Sequence, residues 1–274
     1  LGQLHYLLAV RRRRHLAAWL GEVFPEQSPG QVRAQLRRSF RTSDRSVLEF
    51  IGFYRKVRSA AEVAARCQVD GIESLQAAVN ERRGVLLVGM HAGNGVLMCM
   101  HLAQLGLPLA IVYRESRKVP PGFFDTVFQR HGMQTICVQR KPLPEERPGD
   151  EEKFRLQLRA RAFRDMLRAL QKGRVVVVLM DQGIRHGGVP VSFLGRTVEM
   201  PAGPAELAHR TGAAIVPFAA LAAQPRWHFS IDRPLVKAAD PESTTRAIAA
   251  VLEAYIRAQP ALWSWHHRRW ARDT

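Results

Sequence analysis

The run Val85-Leu86-Leu87-Val88, bounded by Gly84 and Gly89, most constrains what this chain can fold into. It is wholly apolar, rich in β-branched and aliphatic side chains, and too short for a helix that stands alone. It therefore reads as a strand buried on both faces, as in an α/β sheet covered by helices. A Gly-rich turn with His91, Gly93 and Gly95 follows. Val96, Leu97, Met98, Leu102, Ala103 and Leu105 then recur at helical spacing, so the unit is strand, turn, helix.

The same alternation continues along the chain. Strands are expected at Cys67 to Val69, Leu109 to Tyr113, Gln134 to Val138, Val175 to Met180 and Ile215 to Leu221, with Trp227 to Ile231 pairing as an edge. Val175 to Met180 is the most purely hydrophobic of these and is expected to be central. Helices are expected at Ile72 to Asn80, Phe123 to His131, Glu151 to Gln171, from Pro201 through Arg210, and Ser243 to Ala258. Between His186 and Arg196 the spacing predicts a loop with one short strand. Lys141 to Asp150 is Pro-rich, charged and without periodicity, a surface loop and a candidate lid. The fold class is thus α/β, with a central mixed and largely parallel sheet flanked by helices.

Residues 1 to 66 differ from the rest. No strand pattern appears there, and Val32, Leu36, Phe40, Val47, Leu48 and Ile51 recur at helical spacing while arginines fill the other faces. Ser28-Pro29 is a helix start, Ser as N-cap and Pro at the first position. The reading is a basic helical arm over 1–66 and an α/β domain over 67–274. The arm lies along a membrane with its arginines toward lipid phosphates, or is an ordinary solvated amphipathic helix pair. Leu4, Tyr6, Leu7, Leu8 and Val10 running into Arg11 to Arg14 resemble the cytoplasmic end of a membrane anchor, which leads us to expect an anchor upstream.

A formal net charge of +17 and a pI near 11.1 make polyanions the natural partners: an anionic membrane face, a very acidic protein, or nucleic acid. Nucleic acid is disfavoured, because no helix-turn-helix, zinc-finger or aromatic RNA-binding signature appears. Cys67, Cys99 and Cys137 show no paired spacing, so neither a disulfide framework nor a metal site is indicated. No run of about 18 apolar residues is present to form a transmembrane helix.

The best-marked candidate site residues fall where the predicted strands end, the place where open α/β sheets bind ligands. His91 follows the first strand, and Asn94 offers an amide that could hold the imidazole or an oxyanion. Arg114 follows the strand ending at Tyr113; it takes an anionic group there, or pairs with Glu115 or Asp125. Asp181 follows the most hydrophobic strand, where a carboxylate is costly unless paired or wet. Arg196 lies near the free backbone amides of the helix opening at Pro201, an arrangement suited to phosphate or carboxylate.

In order, Gly89-Met90-His91-Ala92-Gly93-Asn94, Tyr113-Arg114, Asp181-Gln182, Phe193-Leu194-Gly195-Arg196, Pro201-Ala202-Gly203-Pro204 and Trp263-Ser264-Trp265-His266-His267-Arg268-Arg269-Trp270 resemble the bacterial lipid A biosynthesis (lauroyl/myristoyl) acyltransferase family, within the wider lysophospholipid acyltransferase group. The resemblance spans nearly the whole chain. It implies a glycerolipid acyltransferase-like fold and an enzyme on the cytoplasmic face of the bacterial inner membrane. Such an enzyme moves a fatty acyl chain from acyl carrier protein or acyl-CoA to a lipid hydroxyl, with no metal or organic cofactor. His91 then matches the general base and Asn94 the Asn of the turn. Arg114 and Arg196, the latter beside Gly195, match positions associated with anionic head groups.

One departure from the family pattern is chemically serious. The family places Trp and then Glu or Asp after the Asn of the turn, whereas this chain has Gly95 and Val96. That acid orients the imidazole and stabilises its protonated form. The expectation is that Asp181, or with less support Glu199, takes its place in space. Failing that, the chain is an impaired family member that binds lipid, or one that uses an easier acceptor such as an amine.

Overall fold

A computed structural model describes residues 2–53, 56, 58–115, 120–140, 151–184 and 187–265. It begins with four helices: α1 (Gly2–Leu8), α2 (Val10–Val23), α3 (Pro29–Phe53) and α4 (Ala60–Ala64). Ser28 caps α3 as the sequence requires. Its hydroxyl accepts the Gln31 N–H at 3.3 Å while its own N–H donates to the Gln31 side chain at 2.7 Å, with Pro29 opening the helix. Tyr6 of α1 meets Phe40 of α3 edge-on, with ring centroids 5.6 Å apart. Leu16, Trp19, Leu20 and Val23 of α2, with Val32, Leu36 and Phe40 of α3, join the hydrophobic core shared with the sheet.

The α/β part continues with β1 (Cys67–Asp70), α5 (Ile72–Asn80), β2 (Val85–Gly89), α6 (Gly95–Gln104), β3 (Leu109–Arg114), α7 (Phe123–Arg130), β4 (Gln134–Gln139), α8 (Glu151–Gln171) and β5 (Val175–Leu179). It closes with β6 (Val189–Phe193), β7 (Arg196–Met200), α9 (Gly203–Thr211), β8 (Ala214–Ala222), β9 (Trp227–Ile231) and α10 (Pro241–Ala258). Seven strands form one sheet in the order β1-β9-β8-β2-β5-β3-β4. The pairs from β8 through β4 are parallel, β9 is antiparallel to β8, and β1 is parallel to β9. The α/β class with a mixed, largely parallel sheet is therefore what the chain adopts.

Two local expectations are corrected, and one strand is added to those expected. β2 is the middle strand, and β5 lies beside it between β2 and β3. Trp227 to Ile231 is not an edge, because β1 pairs outside it from Cys67↔Trp227 to Asp70↔Ser230. Its alternation of buried Trp227, Phe229 and Ile231 with half-exposed His228 and Ser230 reports one covered face and says nothing about neighbours. The one short strand expected before Arg196 is β6; the strand that pairs with it, β7, is not among those expected, although Val198 and Met200 alternate there with Thr197 and Glu199. The candidate lid Lys141 to Asp150, and the part of the terminal Trp-rich cluster from His266 onward, lie outside the described residues. Among the described residues no helix is long and apolar enough to cross a membrane.

Candidate active site

The geometry of the site follows from the pairing of β2 with β5. Gly89 stands opposite Leu179, and the Met180 N–H donates to the Gly89 carbonyl at 2.9 Å. Two residues past that pair lie His91 on one strand end and Asp181 on the other. Gly89 is required there: a Cβ on it would meet the ring of buried Phe218 from β8 at 2.3 Å. Gly93 has φ +62°, and a Cβ on it would press on Ala220 at 2.9 Å. The turn is thus packed flat against β8 and β9 and cannot carry the imidazole away from the sheet's carboxyl edge.

His91 and Asp181 are joined twice. The imidazole Nδ1 lies 2.6 Å from Asp181 Oδ1, and the His91 backbone N–H donates to Oδ2 at 3.1 Å. Oδ2 also accepts the indole N–H of Trp263 at 2.8 Å. The Asp181 side chain is wholly buried, whereas that of His91 is 33% exposed. A buried carboxylate with at least three donors is the paired state that burial demands. An ionised carboxylate only accepts, so Nδ1 carries the proton and the lone pair of Nε2 points outward. Gln182 Nε2 stands 3.2 Å from His91 Nε2 and donates to that lone pair.

Three other elements hold this pair. Ala92 bridges to Trp263, the Gly93 N–H donates to the Leu262 carbonyl, and the Ser264 N–H donates to the His91 carbonyl. The C-terminal segment therefore runs as a short extra strand along the His turn. Trp263 and Trp265 are buried against each other and against Trp19 of α2, with centroids 4.7–6.0 Å apart. For these two tryptophans, packing against the domain is the observed arrangement. From α3, Ser39 donates to the Trp263 carbonyl, Ser43 to the Ser264 hydroxyl at 3.0 Å, and Ser46 to the Gly93 carbonyl at 3.1 Å.

Asn94 is buried and caps α6, its side-chain oxygen accepting the Leu97 N–H at 3.2 Å. Its amide nitrogen donates to Glu49 of α3 at 2.9 Å. The Glu49 carboxylate also accepts from the Trp227 indole, and from Arg45 at 2.8 Å. These two hydrogen bonds tie the turn to α6 and α3. Glu49 and the serines of α3 escaped the sequence reading, although the spacing 39, 43, 46 puts the three hydroxyls on one helical face.

Arg114 ends β3, one strand beyond β5, with its residue surface exposed. Partial desolvation at the strand end and the like charge of Arg159 on α8 lower its guanidinium from the ordinary range. Neither Glu115 nor Asp125 takes it up: Glu115 accepts the Gly122 N–H at 2.8 Å, and Asp125 interacts with Tyr113. Arg196 lies on the hairpin with its guanidinium 4.3 Å from the Trp19 ring centroid. Leu194 (φ 52°) and Gly195 (φ 74°) form the tight turn before it. The strained Leu194 is held by Glu253, which accepts its N–H at 3.0 Å, and by Trp19, whose indole donates to its carbonyl at 3.2 Å. Glu199 sits at the far end of the hairpin, where it accepts the Gly188 N–H at 3.1 Å. Of the two carboxylates weighed for the His91 partner, Asp181 is the one that meets it. Among the described residues no group of three or more His, Cys, Asp or Glu side chains is placed to hold a metal ion.

The chain matches the model of the bacterial lipid A biosynthesis acyltransferase family over residues 1–141 and 144–272. It belongs to that family. It is also 28% identical over 209 residues to the phosphatidylinositol mannoside acyltransferase of Mycobacterium tuberculosis (strain CDC 1551 / Oshkosh), an alignment covering 75% of this chain and 60% of that protein. The protein of the same name from Mycolicibacterium smegmatis (strain ATCC 700084 / mc(2)155) is 26% identical over 206 residues, covering 74% and 62%. The chain thus spans about 60% of the length of the curated relatives it matches.

Proposed function

We propose that this chain is a membrane-associated acyltransferase that moves a fatty acyl chain from an acyl carrier protein thioester, or acyl-CoA, to a hydroxyl or amine of a lipid acceptor at the cytoplasmic face of a bacterial inner membrane. The observation that carries the reading is the His91–Asp181 pair at the carboxyl edge of the sheet, in a chain of this family. The relatives are named for a phosphatidylinositol mannoside, and an acceptor of that kind, a sugar-bearing lipid, supplies the hydroxyl.

In the proposed reaction the acceptor hydroxyl approaches His91 Nε2 from the exposed side and displaces the Gln182 amide. Its proton passes to Nε2 as its oxygen bonds to the thioester carbonyl carbon. The imidazolium is stabilised by Asp181 through Nδ1–H. The tetrahedral intermediate then collapses, and the sulfur leaves with the proton from Nε2. Asp181 in this scheme does the work that the family assigns to the acid absent at Val96, approaching from β5 instead of α6. Arg114 and Arg196, the latter set by the Leu194-Gly195 turn, bind anionic head groups. Residues 1–66 form the membrane-proximal arm and 67–274 the acyl-transfer domain. The excess of basic charge attracts both anionic lipid and an acidic carrier protein.

The test is incubation with bacterial membranes and radiolabelled acyl carrier protein thioesters, comparing wild type, His91→Ala and Val96→Glu. Wild type should label lipid, His91→Ala should lose about 10²–10⁴-fold in rate, and Val96→Glu should gain nothing. Full activity in His91→Ala overturns the base assignment. A large gain in Val96→Glu means that Asp181 does not stand in for the missing acid.

A further inference from the structure

Large apolar side chains on a protein surface are normally scattered singly. Ten are exposed among the described residues here, and seven of them, Leu4, Leu7, Leu8, Val10, Val47, Leu48 and Ile51, fall on α1, the start of α2 and the last two turns of α3. Leu4 is 57% exposed, Leu8 73% and Leu48 47%. These segments are neighbours in space. A Cβ on Gly2 would meet the Arg41 backbone at 2.5 Å, and His5 Nδ1 lies 3.0 Å from Asp44. Each of those pairs is 39 positions apart, so α1 and α3 run side by side in parallel register and Leu8 comes alongside Val47. The result is one apolar ridge built from two helices.

Cations frame the ridge. Arg11 and Arg14 follow Val10, and Arg37, Arg38 and Arg41 precede Val47, all of them exposed. No Asp or Glu occurs in residues 1–21 or 27–43, and Asp44, the first carboxylate on α3, is engaged by His5. Tyr6 lies under this charge, with Arg13 and Arg37 guanidinium carbons 4.9 and 5.4 Å from its ring centroid. Apolar side chains flanked by arginines, with the two nearby acids taken up by the protein (Asp44 by His5, Glu49 by Arg45, Asn94 and Trp227), match an anionic bilayer: acyl chains take the ridge and phosphates take the collar.

We infer that the α1–α3 ridge is the surface by which this chain seats itself on an anionic bilayer, with Leu4, Leu8, Val47, Leu48 and Ile51 reaching below the head groups. The choice of a bilayer over a protein partner rests on the lipid-acylating reading above. The same turns of α3 hold the His turn from another side, through Ser46 to Gly93 and Glu49 to Asn94. Docking by the ridge therefore places His91 beside the membrane surface, with a rigid helix between the two.

The experiment is flotation of the purified chain with vesicles of phosphatidylglycerol and phosphatidylcholine, read as bound fraction without any turnover. Wild type should bind phosphatidylglycerol vesicles, and raising the salt should weaken that binding. The triple variant Leu4→Ser, Leu8→Ser, Leu48→Ser should bind at least about tenfold more weakly. Arg14→Gln with Arg41→Gln should weaken binding to phosphatidylglycerol vesicles alone. Leu156→Ser, at an exposed apolar position on α8, should bind as wild type does. Circular dichroism and melting of each variant establish that it is folded. The inference is overturned if the folded triple variant floats like wild type, or if wild type is a dimer that the triple substitution dissociates without changing vesicle binding. Acyl transfer to detergent-dispersed acceptor is assayed in parallel. Loss of vesicle binding with transfer intact supports the ridge, while vesicle binding without any transfer in wild type refutes the enzymatic reading and leaves the ridge standing.

Discussion

Asp181 grips His91 at both ends of the residue, its two carboxylate oxygens accepting one the ring N–H and the other the backbone N–H. Backbone and ring are thereby fixed to the same buried group, so the direction of the Nε2 lone pair is set by the sheet. An orienting carboxylate of this kind is worth about 10⁴-fold in serine proteases. Asp181→Asn should lower kcat by about 10³–10⁴-fold with KM little changed, and Val96→Glu in that background should restore little. Steady-state kinetics of the single and double variants check both. Rescue by Val96→Glu would show that a carboxylate reaches the ring equally well from α6.

Glu49 gathers Asn94, Trp227 and Arg45 onto one carboxylate. Removing it takes an acceptor from the buried Asn94 amide and from the Trp227 indole, and a buried donor that loses its acceptor costs about 1–3 kcal/mol. Glu49→Ala should therefore lower the urea midpoint clearly, and Glu49→Gln should recover part of it through its remaining oxygen. Equal midpoints for wild type and Glu49→Ala would mean that the stability of the His turn does not depend on Glu49.

Gly89→Ala drives a methyl into the Phe218 ring, and overpacking of this sort costs about 1–3 kcal/mol. The double variant Gly89→Ala, Phe218→Leu should be more stable than the sum of the two single changes indicates. Denaturant titrations of all four proteins in the cycle measure the coupling.

Acid should destabilise the fold as His101 and His131 are forced to take up protons. Burial lowers the pKa of His101 below 6.5, and burial with the nearby Arg130 does the same to His131. The unfolded chain therefore binds protons first as the pH falls, so stability drops below pH 6.5 and is recovered above it. Replacing both with Gln should flatten thermal melting between pH 7 and pH 5. A further loss belongs below pH 4, where Asp70, held below the ordinary carboxylate range by Gln68, and Asp240, held there by Ser243, become protonated.

Thiol reagents should be silent in the native protein. Burial pushes Cys67 and Cys99 up to about 12, and Cys137 is raised as well. Iodoacetamide at pH 8 should label none of the three quickly and leave acyl transfer unchanged. Rapid inactivation that tracks labelling of one cysteine would point to a thiol acyl-enzyme instead of direct attack by the acceptor.

The residues at the site were legible in sequence to different degrees, and the reasons are physical. His91, Arg114 and Asp181 stood out because each follows an apolar run, and the end of a buried strand is a local property. Asn94 stood out too, but its sequence position could not say whether the amide faced the imidazole or the start of a helix. Glu49 gave no signal, because an acid on an arginine-rich helix reads as a solvated residue until its neighbours are known. The exposure of Val47, Leu48 and Ile51 was equally hidden, since their helical spacing matches that of core residues.

By itself the sequence determined most of the strands and helices and the Gly-rich turn after β2, which follow from periodicity and short-range order along one segment, while the family rested on the resemblance carried by motifs spread along the chain. Only the tertiary structure decided which carboxylate faces His91, since Gly89 and Leu179 are 90 positions apart and only β-pairing brings them level. It likewise turned Trp263 into the second anchor of Asp181 and α3 into the brace of the site. Contacts between distant segments depend on strand order and register, and those emerge from the whole core packing at once.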